Sequence, residues 1–112
     1  MSTSFARVEN IDQVLESLPE RFNPDACQDL AMAVHWNLTG KEERQFTIHI
    51  DHGSFTLEQG PYENADIQMD ADSDVYLKLV NGDMKGLVAV MTRRLKVTGN
   101  LQLTTRWDRI FN

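Results

Sequence analysis

The sequence predicts an α+β fold, with a five-stranded, mostly antiparallel sheet covered by helices. Three observations predict it. In several runs between Met32 and Met69, apolar residues recur at every second position, the period of a half-buried strand. On either side of that region they recur at steps of three and four, the period of an amphipathic helix. Runs of strands beside runs of helices place the helices on one face of a sheet.

Val8, Ile11, Leu15, Leu18 and Phe22 form one stripe, so the first element is a helix. Pro19 removes a backbone donor, which predicts a break or kink near Leu18, with Pro19 opening a further turn. Asn23-Pro24-Asp25 reads as a turn or the start of a short helix. Met32, Val34, Trp36 and Leu38 alternate with Ala33, His35 and Asn37 in a first strand. A polar turn from Thr39 to Glu43 follows, and Phe46, Ile48 and Ile50 mark a second strand. Asp51-His52-Gly53 connects it tightly to a third, which carries Phe55 and Leu57. Gln59-Gly60-Pro61 closes that strand, and Ile67 and Met69 mark a fourth.

Helical signals come next. Asp72, Ser73 and Asp74 are N-cap types ahead of Val75, Tyr76, Leu79 and Val80, and Asn81-Gly82 is a stop. Leu87, Val88, Val90 and Met91 indicate a shorter helix. Leu95 and Val97 form a brief fifth strand. Leu103, Trp107, Ile110 and Phe111 stand at helical spacing at the end of the chain. Gly99 is expected at positive φ, because Val97 and Leu101 both have to face inward across a tight reversal.

The 112 residues fit one domain, 1–112, and such a chain buries roughly two thirds of its unfolded surface. A composition of 41% hydrophobic and 25% charged residues is that of a globular protein. The net charge of −6, from 11 basic and 17 acidic residues, repels nucleic acid. The densest basic run is Arg93-Arg94-Leu95-Lys96, which a solvated strand end explains better than an anionic head group does. One cysteine, Cys27, allows no intrachain disulfide, which agrees with a reducing compartment. Met1 to Glu9 lack the apolar core of a signal peptide, and no run approaches the ~20 apolar residues of a membrane span. A cytoplasmic location is the expectation.

Candidates for chemistry are few. His49 and Asp51 project to the same side of a strand, but His52 belongs to the turn, so a polar strand face accounts for them better than a metal site. Nothing in the spacing brings Cys27 to His35 as nucleophile and base. Glycine-rich phosphate loops and Gly-x-Ser-x-Gly are absent. No catalytic residue, metal or cofactor is therefore expected. The conspicuous residues are apolar and large, among them Met69, Met84, Met91, Phe46, Phe55 and Trp107; methionine adapts its shape and often lines tolerant apolar sites. Core packing accounts for such a pattern far more often than a cavity does, so composition and spacing alone stop at an α+β domain.

Ordered short motifs supply more. Leu38-Thr39-Gly40, Phe46-Thr47-Ile48, Asp51-His52-Gly53 and Phe55-Thr56-Leu57 are followed by Ala65-Asp66-Ile67-Gln68-Met69. Asp72-Ser73-Asp74 then precedes Leu79-Val80-Asn81-Gly82, and Leu95-Lys96-Val97-Thr98-Gly99-Asn100 closes the series. From about residue 10 onward the set resembles the sterol carrier protein-2-like family. The resemblance implies a sheet and helices enclosing a hydrophobic tunnel that holds a sterol-like, fatty-acyl or isoprenoid-quinone ligand, without catalysis. It implies a cavity lined by Phe46, Ile48, Phe55 and Leu57 from the early strands and Met69 from the fourth. Leu79, Val80, Leu87, Met91, Leu103 and Trp107 would complete it from the helices. Trp107 is expected near the cavity, with its helix as a lid. Arg93, Arg94 and Lys96 form the candidate head-group patch.

The family usually has glycine just before the Leu-Lys strand, where this chain has Arg93-Arg94, and Asp83 to Gly86 looks shorter than the usual connection. An Arg-Arg-Leu-Lys strand is similar to a bacterial branch linked to ubiquinone biosynthesis, which implies isoprenoid quinone precursors. The implied partners are a lipid or isoprenoid small molecule, transient contact with a membrane, and a second copy or another protein. The alternative is a scaffold or dimerisation module of a multi-protein assembly, its cavity collapsed.

Overall fold

The computed structural model describes residues 7–111. The segment 1–6, Asn112, and the side chains of Leu101, Thr104, Thr105 and Asp108 lie outside the described residues. Helix α1 spans Ile11–Arg21, and a 3₁₀ turn Pro24–Cys27 follows it. Strands β1 (Ala31–Thr39), β2 (Arg44–Asp51), β3 (Ser54–Gln59) and β4 (Ile67–Asp72) come next. Helices α2 (Ser73–Asn81) and α3 (Gly86–Met91), strand β5 (Leu95–Gly99) and helix α4 (Leu101–Ile110) complete the chain.

The sheet order is β3-β2-β1-β4-β5, and only β1 against β4 is parallel. The register aligns the alternating apolar residues. Trp36 stands opposite Phe46 and Met69, Val34 opposite Ile48 and Ile67, and Met69 opposite Val97. One face of the sheet is thus continuous and apolar, and Val14, Leu18, Tyr76, Ala89 and Ile110 from the four helices join its core.

The other face is polar. The connection from β3 to β4 runs across it: Gly60 N–H donates to Gln45 O, the Tyr62 ring meets His49 edge-on, and Asp66 exchanges hydrogen bonds with the Ala33 backbone. His35 is buried here, its Nδ1 2.8 Å from Thr47 Oγ1 and its Nε2 3.3 Å from Gln45 Oε1. Cys27 belongs to the core cluster instead, with its Sγ against the Asn23 and Pro24 carbonyls. The two residues therefore face different environments. His49 Nε2 lies 3.5 Å from Glu58, a contact rather than a directed hydrogen bond, while His52 Nδ1 is bonded to Asp51.

Three details differ from the sequence reading. Pro19 does not break α1, which continues to Arg21. The proline lacks the N–H that would bond the carbonyl four residues back, but it sits in the last turn, where little helix follows it to be displaced. The buried stripe of α1 is Ile11, Val14, Leu18 and Arg21, with Leu15 only half-buried. In α3 the inward residue is Ala89, not the larger apolar residues around it. A helix apolar on every side has no period to reveal its inner face, and the small side chain is the one that fits closest to the core.

Candidate functional site: an apolar cavity under the helices

Between the helices and the apolar sheet face lies a cavity of about 400 Å³. Its floor is Trp36, Met69, Leu95 and Val97 from three adjacent strands. Val14, Leu18 and Arg21 of α1 form one wall, and Tyr76, Leu79 and Val80 of α2 another. Met84, Gly86, Leu87 and Val90 line the side nearest α3, and Trp107 and Phe111 the end nearest α4.

The local signals that position these walls are readable. The Asp72 side chain caps α2 by accepting from Asp74 N–H, and Gly82, at φ 78°, ends it. Asn100 caps α4 by accepting from the Gln102 and Leu103 N–H groups. Arg106 then ties α4 to Asp29 and to the Ala26 carbonyl. Asn23 N–H donates to Ile110 O at 2.7 Å, and Phe22 bridges Phe111. The α4 wall is thus held by polar contacts at two points along its length.

Polar groups are few in this apolar lining. Arg21, only 6% exposed, donates from Nε to Ser17 Oγ and from Nη1 to the Val80 carbonyl. Burial raises the Tyr76 phenol well above its ordinary value, with the nearby Arg21 opposing weakly, so Tyr76 stays neutral. The Trp36 indole stacks 4.6 Å from the Tyr76 ring, and its buried Nε1–H has no acceptor among the described residues. The lining can enclose an apolar chain and offers a small polar region around Arg21, Tyr76 and Trp36.

Of the residues named from sequence, Met69, Leu79, Val80, Leu87 and Trp107 line this space. Six others stand elsewhere. Phe46 and Ile48 are enclosed by neighbouring side chains in the core. Phe55, on the edge strand β3, packs tilted against Phe22 and edge-on to Phe111 in an aromatic cluster. Leu57 and Leu103 pack half-buried against the core, and Met91 projects into solvent. Alternation tells which side of a strand is inward; it does not tell whether a neighbour or a void lies there.

Sequence reasoning missed the contribution of α1, including Arg21, although Val14, Leu18 and Arg21 are spaced four and three apart. The patch residues divide. Arg93 and Arg94 are exposed at the turn after α3. Lys96 stands opposite Asp70 in the register, so it projects from the polar face of the sheet, away from the cavity.

The model of the SCP-2 sterol transfer family matches residues 11–112. The chain belongs to this family. Among curated relatives, human hydroxysteroid dehydrogenase-like protein 2 is 31% identical over 103 residues, covering 91% of this chain and 25% of that protein. The SCP-2 chain thus spans about a quarter of the length of the curated relatives it matches, which are longer proteins containing such a region. Sterol carrier protein 2-like 2 from Aedes aegypti superposes with a TM-score of 0.74 at 11% identity, over 90% of this chain and 95% of that one. The ubiquinone synthesis protein UbiJ-SCP2 superposes with a TM-score of 0.58 at 14% identity, over 75% of this chain and 66% of that one. At these identities the structural likeness establishes the fold. Among the described residues no helix of this SCP-2 domain is long and apolar enough to cross a membrane, and no cluster of His, Cys, Asp and Glu is placed to hold a metal.

Proposed function

We propose that this SCP-2 domain binds one chain-like lipid in the cavity and carries it without transforming it. The observation that carries the reading is the apolar space of about 400 Å³ between sheet and helices. Ligand pockets run from roughly 300 to 1,000 Å³ with few polar groups, and this one fits that description. Family membership supports a lipid ligand, and a sterol-like, fatty-acyl or isoprenoid-quinone molecule is the class we propose. The open space also favours a binding role over that of a scaffold whose cavity has collapsed.

Each methylene moved from water contributes roughly 0.8 kcal/mol, so a long acyl chain gains on the order of 10 kcal/mol before the costs of association. Those costs bring the affinity to about micromolar. An oxygen on the ligand that reaches Trp36 Nε1 would satisfy a donor that otherwise stays buried and unpaired. No transfer of bonds is part of the reading, because the polar groups here form no nucleophile–base arrangement.

Trp36 and Trp107 both line the cavity, so their emission reports its filling. Titration with palmitate or a short isoprenoid quinone is expected to change it saturably. Val97 lies on the floor, and Val97→Phe should weaken binding at least tenfold while circular dichroism stays unchanged. Folded protein that takes up neither ligand, by emission and by native mass spectrometry, would overturn the proposal.

A further inference from the structure

The outer side of α3 is unusual for a surface helix. Leu87 is 71% exposed, Met91 74%, Val88 47% and Val90 42%. At about 100° per residue these values follow from one orientation. Ala89 points inward, Leu87 and Met91 point directly outward, and Val88 and Val90 flank them. The solvent side of this helix therefore carries no polar side chain. It is also continuous with the cavity, because Leu87 and Val90 belong to both.

Charge is distributed around the same place. No acidic residue occurs from Met84 to Trp107, although the chain has 17. Lys85, the residue before α3, and Arg93 and Arg94 after it are all exposed. The adjoining Asp83 is engaged by Arg7. A chain of net charge −6 thus places cations at both ends of the most exposed apolar surface among the described residues.

The turn after α3 adds an independent observation. Arg93 N–H donates to Val90 O and Arg94 N–H to Ala89 O, the paired bonds of a Schellman cap. The residue at the left-handed position of that cap is usually glycine, yet Arg93 occupies it at φ 62°. A charged side chain held in a strained conformation points to a use for it.

We propose that α3 docks this protein on an anionic lipid bilayer. Leu87, Val88, Val90 and Met91 enter the acyl boundary, and Lys85, Arg93 and Arg94 meet the anionic head groups. A lipid then passes between bilayer and cavity beside Leu87 and Val90. The passage rests on the cavity being a lipid site, as proposed above; the docking does not. Apolar residues flanked by cations are what an interfacial helix needs. A second copy of the chain fits this surface less well. A two-fold contact would press the cationic ends of α3 against themselves, and six residues cover little of the ~800 Å² each partner contributes to a stable interface.

Co-sedimentation with vesicles of phosphatidylcholine alone, or mixed equally with phosphatidylserine, tests the proposal. Binding is expected to the mixed vesicles at low ionic strength, and to fall as salt screens the charges. The double variant Val88→Ser, Met91→Ser should lose at least tenfold in vesicle affinity. Arg93→Gly relieves the strained cap, so the fold is kept while vesicle affinity drops by about fivefold. Neither set of residues lines the cavity, so the affinity for palmitate added in solution should stay within about twofold. Vesicle binding that is absent, or indifferent to both variants, would overturn the proposal. A dimer in analytical ultracentrifugation that Val88→Ser, Met91→Ser dissociates, without vesicle binding, would overturn it in favour of a second copy. Vesicle binding that survives in a protein unable to take up palmitate would uphold the docking and reject the cavity reading alone.

Discussion

Phe46→Ala is expected to cost about 3–5 kcal/mol of folding stability. Phe46 is fully enclosed in β2, stands opposite Trp36 in the register and packs 5.9 Å from the Tyr76 ring. Its removal leaves a hole among Trp36, Tyr76 and the inward residues of β2, and rigid strands on either side can close it only in part. The placement of Phe46 in the core rather than on the cavity makes the distinction measurable. A core residue shifts the denaturation midpoint strongly. A cavity-lining residue, already beside a void, would shift it little and change ligand preference instead. A loss below about 1 kcal/mol would show that the ring borders open space.

Gly99→Val should be nearly as damaging. Gly99 stands at φ 107°, where side chains are disfavoured on backbone grounds alone. A Cβ there would lie 2.2 Å from Asp66 O and 3.2 Å from Ile67 Cα, both backbone atoms of the approach to β4. No change of rotamer relieves such contacts. The Asp66 carbonyl also accepts from Asn100 N–H, so moving it loosens the junction of β4, β5 and α4 together. Strain plus a displaced hydrogen bond gives a loss of about 2–4 kcal/mol. Gly99→Ala should cost almost as much, because the Cβ and not the branching makes the contact. An unchanged urea midpoint for either variant would contradict this account.

Much of the fold is legible because it follows from local rules. Strict alternation in Met32 to Leu38 and Phe46 to Ile50 gives both the strands and their buried side. Asp72 and Asn100 act as caps where their side-chain chemistry suggests, and Gly99 adopts the positive φ that the reversal requires. The cavity is legible only in part. Met69 and Phe46 carry the same signal, an apolar residue on the inner side of a strand, yet one borders a void and the other is enclosed. That difference arises from the distance between helices and sheet, which no local pattern encodes. Met91 misleads for a related reason. Its hydrophobicity reads as inward, although the side of α3 that meets the core is the small one at Ala89. Arg21 is a further case: a charged residue on an apolar stripe could have been read as a buried polar group, but its partner Val80 O is distant in sequence.

The single parallel pairing, β1 against β4, also bears on how the chain assembles in time. β1, β2 and β3 are joined by short turns, including the two-residue reversal at His52-Gly53, both at positive φ. Such neighbours meet at little entropic cost. β4 has to close a longer loop and cross the sheet before it reaches β1, and β5 and α4 can add only afterwards. A nucleus in β1 to β3, with β5 and α4 condensing late, is the expected order. Substitutions such as Val34→Ala should then mainly slow refolding, and those in β5 mainly hasten unfolding, as the two arms of a chevron plot would separate. The cavity straddles that divide: Trp36 belongs to the early part and Val97 to the late one. A bound ligand would therefore lengthen the lifetime of the folded state more than it would hasten its formation.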